Sequence, residues 1–68
     1  MSMLVKFRDK DGEWHHRTVK GTNVRKVAEA IKILHPRHPL SQTVAVLQSR
    51  LRAGHVVTTL TCDCEVRR

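Results

Sequence analysis

Met3-Leu4-Val5-Lys6-Phe7-Arg8-Asp9-Lys10-Asp11-Gly12-Glu13-Trp14-His15-His16-Arg17-Thr18 sets a turn-forming cluster between two alternating segments. Alternation of apolar and polar residues marks a half-buried strand. Asp9-Lys10-Asp11-Gly12, with Gly last, marks the connection of a hairpin between strands over 3–8 and 13–19. With those four residues as the loop, Arg8 faces Glu13, Phe7 faces Trp14, Val5 faces His16 and Met3 faces Thr18. One side of the sheet then collects Met3, Val5, Phe7, Trp14, His16 and Thr18, and the other collects Lys6, Arg8, His15 and Arg17. This reading predicts an apolar inner face and a basic outer face, with Phe7 and Trp14 as a core pair.

Beyond the hairpin, Gly21-Thr22-Asn23 ends the second strand and offers Thr22 or Asn23 as a helix cap. Val24, Val27, Ala28, Ile31 and Leu34 recur at helical spacing, with Arg25, Glu29 and Lys32 opposite and Ile33 off the stripe. His35-Pro36-Arg37-His38-Pro39 ends that helix, because each proline disfavours a helical residue before it. Ser41 is placed to cap a second helix with the core stripe Leu40, Val44, Leu47 and Leu51, which Gly54 stops. Residues 55–66 alternate again, with Val56, Thr58, Leu60, Cys62, Cys64 and Val66 on one side. The expectation is an α+β fold in the order ββααβ: one domain over 1–68, a three-stranded antiparallel sheet with two helices on one face.

A chain of 68 residues buries only about 60% of its unfolded surface, so a homodimer is expected to supply the missing buried area. A composition 40% hydrophobic and 28% charged argues against disorder, despite the basic balance. The first residues hold no apolar run suited to a signal peptide, and nothing later approaches the ~20 residues of a membrane span. Cys62 and Cys64, two apart on one strand face, are poorly placed to bond with each other. Reduced thiols and a cytoplasmic setting follow as the simplest expectation.

The net charge of +7 lies in the middle of the chain. From Trp14 to His55, eight Lys and Arg residues stand against one acid, Glu29. Cations concentrated on ordered elements suit a polyanionic partner. The side of the second helix away from its core stripe carries Gln42, Ala45, Val46, Ser49 and Ala53, flanked by Arg50 and Arg52, and the helix has no carboxylate. Such a face fits a DNA major groove: Gln can pair with adenine, Ala or Val can meet a thymine methyl, and Arg can reach guanine or phosphate. Residues near a recognition helix's start usually touch the bases. The expectation is therefore a non-enzymatic domain that binds double-stranded DNA, possessing the chemistry of a transcriptional regulator. Gln42, Thr43, Val46, Ser49 and Arg50 would lie toward the bases, with Lys6, Arg8, Arg17, Lys20, Arg25, Lys26 and Arg52 on phosphates.

Val27-Ala28-Glu29-Ala30-Ile31, followed by Leu40-Ser41-Gln42-Thr43-Val44 and then Leu47, Leu51, Gly54, His55 and Val56, resembles the core of a winged helix-turn-helix domain. The resemblance implies a positioning helix over 24–35, a recognition helix over 41–53, and sequence-specific duplex binding, usually as a dimer. The connection from Lys32 to Pro39 is longer than that family's turn, and a hairpin stands where a preceding helix would be.

A competing expectation is a protein-interaction module, a small inhibitor or adaptor of the phage or mobile-element type docking on an acidic protein. Ile33 and Val46 would be its apolar anchors. His35, His38, Cys62 and Cys64 offer a tetrahedral zinc set, although Cys-x-Cys is shorter than the usual spacing and the histidines read equally as exposed loop residues. No glycine-rich phosphate cradle or nucleophile motif is present, and no cofactor is implied. Single-stranded nucleic acid is bound on aromatic platforms, and the inward assignment of Phe7 and Trp14 argues for a duplex instead.

Overall fold

In the computed structural model, which describes residues 2–61, the chain forms β1 (Ser2–Arg8), β2 (Trp14–Lys20), α1 (Val24–Leu34), α2 (Leu40–Arg52) and β3 (Val57–Leu60). The fold is α+β in the expected order, with both helices between β2 and β3. Val24, Val27, Ala28 and Ile31 of α1 and Leu47 of α2 share one buried core with Met3, Val5, Phe7, Val19 and Leu60 of the sheet. Leu34, Leu40, Val44, Val46 and Leu51 pack around it, only partly buried.

The hairpin register is displaced from the sequence expectation. Arg8 pairs with Trp14, Phe7 with His15, Val5 with Arg17 and Met3 with Val19. The cause lies in Asp9. Its carboxylate Oδ1 accepts from the amides of Asp11 (2.8 Å) and Glu13 (2.9 Å), and its own amide donates to the Glu13 carbonyl at 2.9 Å. Gly12 takes a left-handed φ of +87° and donates to the Asp9 carbonyl. Asp9 and Glu13 thus close a three-residue loop, the turn-plus-bulge connection that calls for a left-handed residue in third place. A loop one residue shorter than expected turns every β2 side chain to the other side. His15, Arg17 and Val19 face inward, and Trp14, His16, Thr18 and Lys20 face outward.

The sheet is mixed, with strand order β2-β1-β3, and not fully antiparallel. β3 runs parallel to β1, pairing Leu4 with Val57 and Phe7 with Leu60. The helix pair dictates this direction. β2 ends beside the start of β1, since Lys20 pairs with Ser2. α1 then travels to the hairpin end, where the Leu34 carbonyl accepts from the Lys10 amide at 2.9 Å. α2 returns, and β3 sets off beside the first residues of β1, with the Leu4 amide on the Val56 carbonyl at 2.8 Å. Two helical traverses bring the chain back to the end it left, so the third strand repeats the direction of the first. Thr58 and Leu60 are buried as the alternation predicts, whereas Val56 precedes the strand and is exposed. The remainder of the expected 55–66 strand beyond Thr61 lies outside the described residues.

The capping of the helix starts also differs from the sequence reading, whereas Gly54 ends α2 as expected. Asn23 occupies the N-cap position of α1, but its side chain turns back to β2, accepting from the Lys20 amide and donating to the Thr18 carbonyl. Pro39, not Ser41, precedes α2. At the other end, the Gly54 amide donates to Leu51 and the His55 amide to Arg50, while Gly54 holds φ +85°. This is the Schellman arrangement, which satisfies two terminal carbonyls and needs a left-handed residue.

Candidate nucleic-acid interface

Gln42, Ala45, Ser49 and Arg52 are all exposed on α2. Spacings of three, four and three residues place them on one stripe of the helix. The stripe opposite carries Thr43 and Leu47 into the core. Three of the sequence-assigned base contacts are therefore not on the outward stripe. Thr43 is 1% exposed, and its hydroxyl donates to the Pro39 carbonyl at 3.0 Å, one turn back. Val46 is half-buried against the core. Arg50, half-buried on the same flank, donates to the Thr58 hydroxyl and, at 3.2 Å, to the Thr59 carbonyl, tying α2 to β3.

The phosphate set is divided between two surfaces. Arg25 and Lys26 are exposed on α1, where Arg25 lies 3.6 Å from Glu29 one turn on. Lys6, Arg8 and Lys20 sit on the outer face of the sheet, away from the helices. Arg17 faces inward at the sheet margin, with its guanidinium 5.9 Å from the Phe7 ring centroid and donating to the His16 carbonyl at 2.7 Å. Because the helices cover one face and leave the other open, these cations do not form one contiguous surface.

The open face has a character that the sequence reading did not assign. Trp14 is 53% exposed, and the Arg8 guanidinium lies over its ring, 5.6 Å from the centroid. Lys6, Trp14, His16 and Thr59 line a shallow depression of about 280 Å³. Val57 is 51% exposed on the same side. The signal for this arrangement was in the turn. Gly12 is the last residue of the loop whether Asp9 is counted in it, giving four residues, or pairs with Glu13, giving three, and only the three-residue loop turns Trp14 outward.

Comparison with known proteins finds no matching family model, no matching curated protein and no matching solved structure. Nothing in these comparisons or in the fold identifies the winged helix-turn-helix resemblance.

The zinc set is described only in part. His35 and His38 are buried, 5% and 7% exposed, rather than displayed on a loop. Their rings meet edge to face at 5.8 Å. Cys62 and Cys64 lie outside the described residues. Of the two apolar residues read as partner anchors, Ile33 is 76% exposed on α1, while Val46 belongs to the core margin. Among the described residues no helix is long and apolar enough to cross a membrane.

Proposed function

We propose that this chain is a small, non-enzymatic basic domain that binds double-stranded DNA, with α2 laid against the duplex and a second copy of the chain completing the site. The observation that carries the reading is the outward stripe of Gln42, Ala45, Ser49 and Arg52 on a helix without a carboxylate. Its small side chains permit close approach to a groove, and Gln42 near the helix start has the donor and acceptor pair that adenine requires. Arg25, Lys26 and Arg52, all exposed in the helix layer, are the phosphate contacts. Thr43 and Arg50 serve the fold, and Lys6, Arg8 and Lys20 lie too far around the molecule to join them.

The test is binding to random and selected duplexes across a salt series. If about six phosphates are neutralised by the dimer, log K falls with log salt at a slope near −5. Exchanging Gln42 for Ala is expected to cost about 1–3 kcal/mol of sequence preference. Absence of duplex binding near about 100 mM salt, where an interface of this kind retains measurable affinity, overturns the reading.

A second reading has one observation in its favour. Ile33, exposed beside Lys32 on α1, is an apolar anchor within a cationic surface, as an acidic protein partner would use. An Ile33→Asp variant that keeps full duplex affinity but loses a protein partner would favour this alternative.

A further inference from the structure

Three regions lie outside the duplex reading: the buried His35–His38 pair, the exposed Ile33, and the open face of the sheet. The histidines are packed in the α1–α2 connection, and Ile33 is a single side chain. The open face combines an aromatic ring, cations and a depression.

Its outward strand positions are Ser2, Leu4, Lys6 and Arg8 on β1, Trp14, His16, Thr18 and Lys20 on β2, and Val57 and Thr59 on β3. No carboxylate occurs among them. Lys6, Lys20 and the His16 imidazole therefore lie on this face with no acid among its described strand positions. Among the described acids, Asp9 is held in the turn, engaged by His15 at 2.7 Å and by two backbone amides. Trp14 and Lys20 stand at opposite ends of β2, about 20 Å apart along the strand. The indole is more than half exposed beside the depression, with a guanidinium over its ring. Aromatic rings and arginine planes are the surfaces on which unpaired bases stack, and cations beside them hold the phosphates.

We propose that the open face of the sheet is a separate binding site for single-stranded nucleic acid. A base stacks on the Trp14–Arg8 pair, and the backbone runs over Lys6 toward Lys20. A duplex does not fit this chemistry, because its bases are already stacked and the strands present no helix to enter a groove. The site lies on the sheet face opposite the helices, so it stands whether or not α2 binds duplex DNA.

Trp14 is the only tryptophan, so its fluorescence reports this face alone. Titration of the full chain with a short oligothymidylate is expected to quench that emission saturably. Trp14→Ala is expected to weaken oligothymidylate binding between about fivefold and a hundredfold, with Trp14→Phe restoring most of it. Lys6→Gln is expected to lower the magnitude of the salt slope by about 1. Unchanged emission at saturating oligothymidylate overturns the proposal. So does equal quenching and equal affinity with polyglutamate, which carries the charge but no bases. If Trp14→Ala loses its circular dichroism spectrum, the wild-type quenching experiment decides alone. Gln42→Ala, on the other layer, is expected to leave oligothymidylate binding unchanged; a weakening equal to that of Trp14→Ala would place the strand on α2 and overturn the proposal.

Discussion

Asp9 Oδ2 lies 2.7 Å from His15 Nε2, and the other carboxylate oxygen accepts from the amides of Asp11 and Glu13. One side chain thus holds the turn closed and anchors the first inward residue of β2, whose ring stacks on Phe7 at 5.6 Å. Hairpin geometry and core packing meet at this carboxylate.

The hydrogen bond to His15, helped by the two amides, holds the Asp9 carboxyl below its ordinary value of 3.8. The folded state therefore takes up this proton less readily than the unfolded chain. Its contribution to stability is complete above the ordinary carboxylate range and is lost as pH falls through the lower folded value. Thermal melting between pH 6 and pH 2 is expected to show a decline at the acid end that is shallower in Asp9→Asn. Parallel profiles for the two proteins would deny Asp9 this part in acid unfolding.

The register displacement has its own optical check. Trp14, exposed on the open face, is expected to emit at long wavelength in the native protein and to be quenched readily by acrylamide. Unfolding is expected to change that emission little. A blue-shifted, acrylamide-protected tryptophan would restore the Phe7–Trp14 core pair and contradict the three-residue loop.

Local patterning and long-range pairing differed in legibility. The element order, the α1 stripe Val24, Val27, Ala28 and Ile31, and the inward Thr58 and Leu60 follow from periodicity, which the sequence displays directly. The direction of β3 depends on how many helices cross the sheet before it, a property of packing that no single segment encodes. The facing of β2 depends on one residue of loop length, so a small ambiguity in the turn exchanged Trp14 for His15 across the whole strand. Thr43 shows the same limit on a helix. A polar side chain beside the apolar stripe reads as outward, but it is buried with its hydroxyl satisfied by the carbonyl of Pro39, the residue that precedes α2.

Gly54 offers a test of the α2 terminus. A Cβ there meets no atom within 4 Å, so the effect of Gly54→Ala arises from the left-handed backbone alone, φ +85°. The expected destabilisation is about 1–2 kcal/mol. For a domain of this size that lowers the melting temperature by roughly 4–8 °C per kcal/mol. Gly21, which also has open space around it and no positive φ, is the control. Gly21→Ala is expected to be neutral or to stabilise by about 0.4–1 kcal/mol through the unfolded chain. Equal effects at the two positions would deny the left-handed cap.

Arg50 and Arg52 are alike in sequence and unlike in place. Arg50 reaches β3 through the Thr58 hydroxyl and the Thr59 carbonyl, whereas Arg52 is exposed on the outward stripe. A half-buried hydrogen bond from a charged group contributes about 1 kcal/mol or somewhat more, so Arg50→Gln is expected to lower stability by that amount. Its duplex salt slope is expected to stay unchanged where the variant is folded. Arg52→Gln is expected to shift stability by less than about 0.5 kcal/mol, as exposed substitutions do. It is expected to reduce the magnitude of the duplex salt slope by about 1 for each phosphate that the side chain no longer reaches. Denaturant melts and a salt series on both variants separate the roles. Matching behaviour, with both arginines altering only stability or only binding, would contradict the division of α2 into a stripe that faces outward and a flank that holds the sheet.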